Sequence, residues 1–426
     1  MKRPPVTSGG LFHGYRALPV RFVTGARRGD ALPWPSVTTS SSFPHAQRLT
    51  WLCYGAMMIL AIGLNLLPVF LTTLRTEYGG AAGLSGEQLG RLGALAFAGL
   101  VMGIILTGPL ADRWGAKPFA QLGNGLTAIS LLAAALAPNY AALGAALFGL
   151  GLGAGLLDMV LSPVVAALNP ERRAAAMNWL HSFYCVGAVA TILTGTLALR
   201  IGIGWRGACL GLIPLPLALI AALAPLQFPA MSTVGERVPL GRLLRDRWFA
   251  GALVAILLGG ATELGMAQWL PAYAETTLGF AAWVGGAGLL AFSLAMALGR
   301  MVVGATEGRF DPYRVMMVGC AGTVLLFLMG SFAPWPWFAL AACVAAGFTG
   351  SCLWPTLLAV AADRHPEGGA TLFGALAALG NAGGIAMPWL VGVIADHRDL
   401  RWGLAVSALA PALLLPLLAV LRRTSR

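Results

Sequence analysis

The chain has few charged residues. Only 10% of its 426 residues are charged, with 16 acids and five histidines, whereas 58% are hydrophobic. Soluble domains carry roughly 25% charged residues, so this composition excludes water as the medium around most of the chain. The sequence also contains no nucleotide-binding loop and no Ser/His/Asp set. We therefore predict a protein that is not an enzyme and that needs no cofactor.

The basic excess and the cysteines have simple explanations. A net charge of +12 does not indicate a nucleic-acid partner, because the basic residues stand singly between apolar runs and form no cluster. The cysteines lie inside apolar segments, without CxxC spacing or a histidine at metal-ligand distance. They are Cys53, Cys185, Cys209, Cys320, Cys343 and Cys352. We interpret them as packing residues and predict no metal site.

Long apolar runs define the architecture. A membrane-spanning helix needs about 20 mostly apolar residues, and twelve segments of the chain meet this requirement. They are 50–74, 86–110, 118–137, 139–168, 174–198, 206–226, 248–274, 280–303, 313–333, 335–362, 369–395 and 400–421. The fold class is therefore predicted to be an all-α membrane protein with twelve transmembrane helices.

The distribution of basic residues predicts the orientation. With twelve spans both termini lie on one side, and 22 of the 28 Lys and Arg residues fall on that side, in the N-terminal tail, the loops and the C-terminal end. The positive-inside rule places this side in the cytoplasm, and a bacterial cytoplasmic membrane is the expected location. Residues 1–49 are predicted to be a disordered cytoplasmic tail, with a misplaced start or a transit peptide as alternatives. Residues 227–247 are predicted to be the loop between an N-terminal half, 50–226, and a C-terminal half, 248–426.

The two halves repeat each other. A constant shift of 196 residues superposes distinctive positions from one end to the other, including an arginine pair and a consecutive Pro-Glu pair. The pairs are Gly90/Gly286, Gly103/Gly299, Gly108/Gly304, Arg113/Arg309, Gly151/Gly347, Pro170/Pro366, Glu171/Glu367 and Gly187/Gly383. Two parallel six-helix repeats of this kind place a substrate near the middle of the bilayer, between the halves.

One short motif is specific. Residues 108–117 read GPLADRWGAK, which resembles the major facilitator signature G-x-L-A-D-R-x-G-x-K. The resemblance implies the major facilitator fold and a loop that latches the halves in each transport cycle. The predicted latch residues are Gly108, Asp112, Arg113, Gly115, Lys117 and, from the repeat copy at 304–313, Arg309. The alternative is a basic turn that only sets the topology.

A finer resemblance covers the chain from the fourth segment onward. The runs GLGAGLLD at 151–158, NPER at 169–172, NWLHSF at 178–183, WPTLL at 354–358 and GNAGG at 380–384 resemble the fucose:proton symporter branch. This resemblance implies that a carboxylate in the fourth helix carries the proton, and Asp158 has the matching spacing to Pro163. The acid that the branch has in its first helix has no counterpart in GLNLLP at 63–68.

Three ionisable side chains are predicted to lie deep: Asp158, His181 and Glu263. An ionised carboxylate near the bilayer centre costs about 3 kcal/mol, so such residues usually serve a function. No Lys or Arg is assigned to a comparable depth, which leaves a proton as the natural counter-charge. We predict proton coupling by these three residues. The alternatives are a static Asp158–His181 pair and, for Glu263, a packing carboxylate held protonated.

Polar and aromatic positions predict the substrate site. Asn178, His181, Ser182 and Cys185 recur at i, i+3, i+4 and i+7, so they form one polar stripe that should avoid lipid. Trp269 and Tyr273 flank Pro271, where the seventh helix is free to break, and their rings would stack on a sugar. The predicted substrate-binding residues are Asn178, His181, Glu263, Trp269, Tyr273 and Asn381. Interfacial anchoring of the aromatic pair and helix packing at Asn381 are the alternatives.

These features predict a secondary active transporter. It would move a small polar solute, a sugar or related polyhydroxy compound, by proton symport with alternating access. An exporter of hydrophobic or drug-like compounds, also proton-coupled, is the alternative on the same fold. The expected partners are the substrate, the proton and the lipid bilayer, with no nucleic acid, and the protein is expected to function as a monomer.

Overall fold

Twelve long helices connected by short turns make up the described part of the chain. A computed structural model describes residues 43–169, 173–229, 239–305, 309–365 and 368–424. Most of the predicted tail, 1–49, and the middle of the predicted loop, 227–247, lie outside these ranges. The helices are α1 Ala46–Tyr78, α2 Gly86–Trp114, α3 Ala116–Ala135, α4 Tyr140–Leu168, α5 Arg173–Arg200, α6 Gly204–Leu223, α7 Arg247–Thr276, α8 Ala282–Ala305, α9 Pro312–Phe332, α10 Pro336–Arg364, α11 Gly369–His397 and α12 Leu400–Thr424.

The predicted spans are confirmed to within a few residues. Eleven of these helices are long and apolar enough to cross a membrane. The remaining one, α3, has 20 residues but is less apolar because it carries Lys117, Gln121 and Asn124. Its two amides stay inside the bundle, where Gln121 donates to the Ile220 carbonyl and Asn124 donates to the Ala120 carbonyl. Their side-chain oxygens have no partner among the described residues.

Capping side chains begin several of the helices. Ser85 and Gln88 form a reciprocal capping box at the start of α2, and Asn139, Asp246 and Asp311 cap α4, α7 and α9. These caps satisfy backbone N–H groups that have no partner inside the helix.

Several of the described helices are interrupted along their length. In α1 the α-helix ends at Asn65 and a 3-10 turn follows at Leu67–Phe70, where Pro68 cannot donate a backbone hydrogen bond. Three other helices are interrupted: α6 between Leu212 and Pro214, α10 between Gly350 and Leu353, and α12 between Val406 and Leu409. By contrast, α7 continues through Pro271, where the sequence left the helix free to break.

The structure confirms the repeat in detail. Helices α2 to α6 begin at residues 86, 116, 140, 173 and 204, and α8 to α12 each begin 196 residues later. Close contacts repeat with the same shift. A Cβ on Gly103 would collide with Leu152 and Gly155 of α4, and a Cβ on Gly299 would collide with positions 348 and 351 of α10. Glycine is needed at both positions because the helix backbones nearly touch.

The two halves meet along α2–α11 and α5–α8, and they approach most closely at the face opposite the termini. We call this the opposite face, and the face where α1 begins and α12 ends the terminal face. At the opposite face the backbone of Gly90 lies against Pro388, with so little room that a Cβ would sit 2.6 Å from the Pro388 carbonyl oxygen. Gly286 lies in the same way against the Thr196 side chain.

Polar contacts also close the opposite face. The carboxylate of Asp396 on α11 accepts hydrogen bonds from the backbone N–H groups of Gly86 and Glu87, at the positive N-terminal end of α2. At the position 196 residues earlier, the guanidinium of Arg200 lies 5.4 Å from the ring centroid of Trp283 at the start of α8. The two halves are therefore joined at two pseudo-equivalent points by different chemistry.

Burial falls toward the terminal face along both contact lines. On α5, Thr196 is buried, Cys185 is half-buried and His181 is exposed. On α11, Pro388 and Gly384 are buried, whereas Asn381 one turn further is half-buried. The same trend on two helices from different halves indicates a central cleft that is closed at the opposite face and opens toward the terminal face.

Candidate functional site

A charged pair lies at mid-depth between the halves. Glu263 on α7 and Arg300 on α8 form a salt bridge with 3.1 Å between Nη2 and Oε2, and the Nε of Arg300 donates to the Ser351 carbonyl at 3.2 Å. The side chains keep 30% exposure for Arg300 and 25% for Glu263, so the pair is not sealed in the protein. An ion pair held by two helices and partly open to the cleft has the properties of a binding site.

Helix α5 of the N-terminal half reaches the same pair. Arg300 lies close enough to Cys185, His181 and Tyr184 to interact with them electrostatically. On α1, Asn65 lies 3.5 Å from the Tyr184 hydroxyl. Both halves therefore contribute to one polar cluster, which we call the central cluster: Asn65, His181, Tyr184, Cys185, Glu263 and Arg300.

Arg300 corrects the sequence-based interpretation. We expected no Lys or Arg at the depth of Glu263, because Arg300 stands five residues from the end of α8. Its long side chain instead extends back along the helix to the carboxylate. Glu263 thus has a positive partner on the neighbouring helix, which the sequence did not predict. Counting residues along a helix gives the depth of a Cα atom. It does not give the depth of the guanidinium group at the end of a long arginine side chain.

Asp158 has a different environment. It lies partly buried on α4, with Ala154 and Leu161 as its buried neighbours on the same side of the helix. Among the residues that the structure describes, Asp158 accepts no hydrogen bond and forms no ion pair. In particular, it is not paired with His181, so the predicted static pair is absent. The deep carboxylate of the N-terminal half therefore has no partner within the described ranges, whereas that of the C-terminal half is paired.

The structure separates the other predicted substrate residues. Trp269 and Tyr273 are fully packed: Trp269 donates to the Pro388 carbonyl at 2.9 Å, and Tyr273 donates to the Gly330 carbonyl at 2.7 Å. Their polar groups hold neighbouring helices together and do not point into the central cluster. Asn381 donates to the Ala377 carbonyl at 2.9 Å and remains half-buried beside the cleft. The side chain of Asn178 lies outside the described part of the chain.

The predicted latch is partly described. Gly115 adopts a φ of 79°, which only glycine adopts without strain, and it joins α2 directly to α3. Lys117 donates to the Ala224 carbonyl at 2.6 Å and so satisfies the end of α6. Gly108 is half-buried beside Met159, while Arg113 and Arg309 are exposed. The side chain of Asp112 is not described, and the latching role stays a prediction.

At the terminal face, acidic residues cap helices of the C-terminal half. Asp311 accepts hydrogen bonds from the Arg314 backbone and the Arg422 side chain. Burial alone would raise the pKa of Asp311, but these hydrogen bonds and the positive charge of Arg422 outweigh it and lower the pKa below its usual value. Asp246 similarly pairs with Arg364 and lies 3.0 Å from Nε2 of His365.

Comparison with known proteins identifies the family. The family model of the Major Facilitator Superfamily matches residues 53–305 and 283–426, so the chain belongs to this superfamily of membrane transporters. The expected resemblance to the superfamily is thereby confirmed. The chain is 29% identical to the probable nitrate/nitrite transporter NarK2 of Mycobacterium tuberculosis over 346 residues, covering 76% of this chain and 84% of that protein.

The chain is also similar to a second transporter in sequence and to a solved transporter structure in fold. The chain is 28% identical to the gentisate transporter of Corynebacterium glutamicum over 416 residues, covering 89% of each protein. Its fold is similar to the crystal structure of the E. coli fucose:proton symporter, with a TM-score of 0.61, 19% identity and coverage of 88% of this chain and 99% of that one. At that identity the structural likeness establishes the fold alone. The chain is thus an integral membrane transporter and not an enzyme.

Proposed function

We propose that this protein is a proton-coupled symporter that moves a small polar solute by alternating access, and that Asp158 binds the coupling proton. The observation that carries the proposal is the contrast between the two deep carboxylates. Asp158 has no partner among the described residues, whereas Glu263 is paired with Arg300. A carboxylate with no partner is the group that most needs a proton when the site leaves contact with water.

The closed opposite face and the open cleft support alternating access. With both termini in the cytoplasm, as the basic residues predict, this conformation faces inward and would release solute and proton to the cell interior. Rocking the halves about the central cluster would then break the contacts of Asp396 and Arg200 and expose the site outside. Each monomer contains the complete cleft in this scheme.

Two substrate classes are candidates. A sugar or related polyhydroxy compound follows from the resemblance to the fucose:proton symporter branch, and His181, Asn381 and Tyr184 would supply hydrogen bonds to it. The burial of Trp269 and Tyr273 leaves that class without the stacking surface expected from the sequence. A small anion is the second class, favoured by Arg300 in the central cluster and by relatives named as nitrate/nitrite and gentisate transporters.

The test compares two transport modes in proteoliposomes. Asp158→Asn mimics the permanently protonated carboxylate, so it should still exchange substrate across the membrane in counterflow. It should lose accumulation driven by an imposed pH gradient, because substrate movement no longer carries a proton. Asp311→Asn, a carboxylate change at the terminal face, serves as the matched control and should keep both modes.

Full pH-driven accumulation by Asp158→Asn would refute the assignment of the proton to this residue. Proton-driven extrusion of hydrophobic dyes with no uptake of sugars or anions would instead support the exporter alternative. Substrate screening should therefore include L-fucose, nitrate, gentisate and a hydrophobic dye in the same vesicles.

A further inference from the structure

Arg300 is the one guanidinium among the described residues that stands at mid-depth where the two halves meet. It uses Nε for the Ser351 carbonyl and Nη2 for Glu263, and it lies beside Cys185. A guanidinium has five N–H donors, so donors remain, and 30% of the side chain is exposed. Two helices thus hold a partly open, planar donor group in a fixed orientation.

The charge of the central cluster constrains what can bind there. Glu263 and Arg300 together are neutral, and a buried charge without a partner is expensive at this depth. A neutral solute adds no charge and leaves the pair intact. An anion that binds Arg300 adds one negative charge, and the site becomes neutral again when Glu263 takes up a proton.

We propose that Arg300 binds the anionic group of the substrate, a small monocarboxylate or planar oxyanion, and that protonation of Glu263 releases Arg300 for it. This rests on the proposed symport and names its substrate class. The planar fork of arginine matches the two oxygens of a carboxylate, which a lysine ammonium does not. Protonated Glu263 keeps a hydroxyl that can donate to the same anion.

The groups that face Glu263 are compatible with this exchange. Arg300 faces it from α8, and Tyr184 and Cys185 face it from α5, while His181 faces Arg300. None of these described neighbours is a second carboxylate. Glu263 is therefore the one carboxylate among them that competes with the anion for Arg300. Transport of each anion should therefore consume one more proton than transport of a neutral solute, with the first proton on Asp158.

Binding to the purified protein tests the assignment without transport. The probes are nitrate and benzoate as anions, with benzamide and L-fucose as neutral compounds, followed by calorimetry and by the rise in Tm. The anions should bind, and their affinity should increase as the pH is lowered from about 8 to 6, because each bound anion takes up one proton at Glu263 while both probes stay ionised. Benzamide should not bind measurably.

Two substitutions separate the roles of the pair. Glu263→Gln removes the competing charge, so anion affinity should rise and should no longer depend on pH; misfolding cannot produce such a gain. Arg300→Gln should weaken anion binding about tenfold or more, and Arg300→Lys should recover it only in part. The matched controls are Asp311→Asn and Arg422→Gln, which break an ion pair of the same 3.1 Å length away from the site and should bind anions like the wild type.

The results also distinguish this inference from the proposed function. Binding of L-fucose that survives Arg300→Gln, with no binding of nitrate or benzoate, would overturn the anion site and leave proton symport intact. Anion binding that requires Arg300, in a protein that shows no pH-driven uptake, would support the anion site and refute the symport. Unchanged pH dependence in Glu263→Gln would refute the role of Glu263.

Discussion

The N-terminal and C-terminal halves share one backbone plan but place charge differently. Helix starts and glycine contacts repeat at 196 residues, yet the position equivalent to Asp158 is Trp354, and the position equivalent to Arg300 is Ile104. The glycines repeat because two helices that touch have no room for a Cβ. The deep charged residues Asp158 and Arg300 do not repeat, although the pair Arg113 and Arg309 at the terminal face does. The two halves therefore share their helix packing, whereas each half has its own deep charged residues.

At the terminal face the two halves again share their geometry but differ in their ionisable side chains. Asp246 and His365 lie together in the C-terminal half, and the equivalent positions in the N-terminal half are Thr50 and Asn169, which are joined by a hydrogen bond of 3.3 Å. The geometry is kept while an ionisable pair in one half is a neutral pair in the other. Differences in pH response between the halves should therefore arise from side chains and not from the helix arrangement.

The largest effect should come from breaking the shared packing. A Cβ at Gly151 would lie 1.8 Å from the Ala96 carbonyl oxygen, whereas at the equivalent Gly347 it would lie 2.6 Å from that of Phe292. We expect Gly151→Ala to lower the free energy of unfolding by about 3 kcal/mol and Gly347→Ala by about half as much. Thermal unfolding in detergent measures both. Gly211→Ala, where nothing lies within 4 Å, is the control and should be neutral or stabilising. Equal losses at 151 and 347 would show that the helices adjust to remove the difference.

The next effect concerns the two deep carboxylates. Glu263→Gln leaves Arg300 without its counter-charge, and for a pair that is partly open to water we expect a loss of about 1–2 kcal/mol. Asp158→Asn removes a carboxylate that has no described partner, so stability should be unchanged or higher. Unfolding of both variants in the same detergent gives the comparison. A larger loss for Asp158→Asn would reveal a partner among the residues outside the described ranges.

A smaller effect is expected at the opposite face. Asp396→Ala removes an ionic helix cap between the halves and should shift the equilibrium toward opening by about 1 kcal/mol. Arg200→Ala removes a cation–π contact and should shift it by about 0.5 kcal/mol. Distances between spin labels at Ala81 and Ala281 would report the open population. If neither variant changes that population, these two contacts do not hold the face closed.

The smallest effect compares the starts of α3 and α9. Asp311 caps α9, while the equivalent residue before α3 is Gly115, which has no side chain to titrate. Because the folded pKa of Asp311 is lowered, its contribution is complete above the usual aspartate pKa and is lost as the pH falls through the lowered value. Hydrogen exchange should show α9 losing protection in acid, by about 0.5 kcal/mol or less, with no such loss in α3. Asp311→Asn should abolish the difference.

Most of the architecture could be predicted from the sequence. Apolar runs gave span bounds close to those observed, because a helix in lipid must satisfy its backbone internally and expose apolar side chains. The φ of Gly115 followed from the motif, since a helix pair joined by one residue needs a turn that other residues avoid. Asp158 was recognised as a deep acid for the same reason, because few charges interrupt the fourth span.

The site was less predictable, because its contacts join residues far apart in the chain. Arg300 looked like one of the basic residues at the edge of a span, and Tyr184 and Asn65 carried no distinctive pattern. Trp269 and Tyr273 looked like a stacking surface, but the packing of α7 against α9 and α11 directs their polar groups to backbone carbonyls.

The sequence by itself determined the number of spans, the repeat and the depth of the acids, since these depend on hydropathy and spacing along one chain. Only the tertiary structure decided which acid is paired and which is not. A long side chain can reach carboxylates on several helices, and the packing of α5, α7 and α8 selects Glu263 as the partner of Arg300.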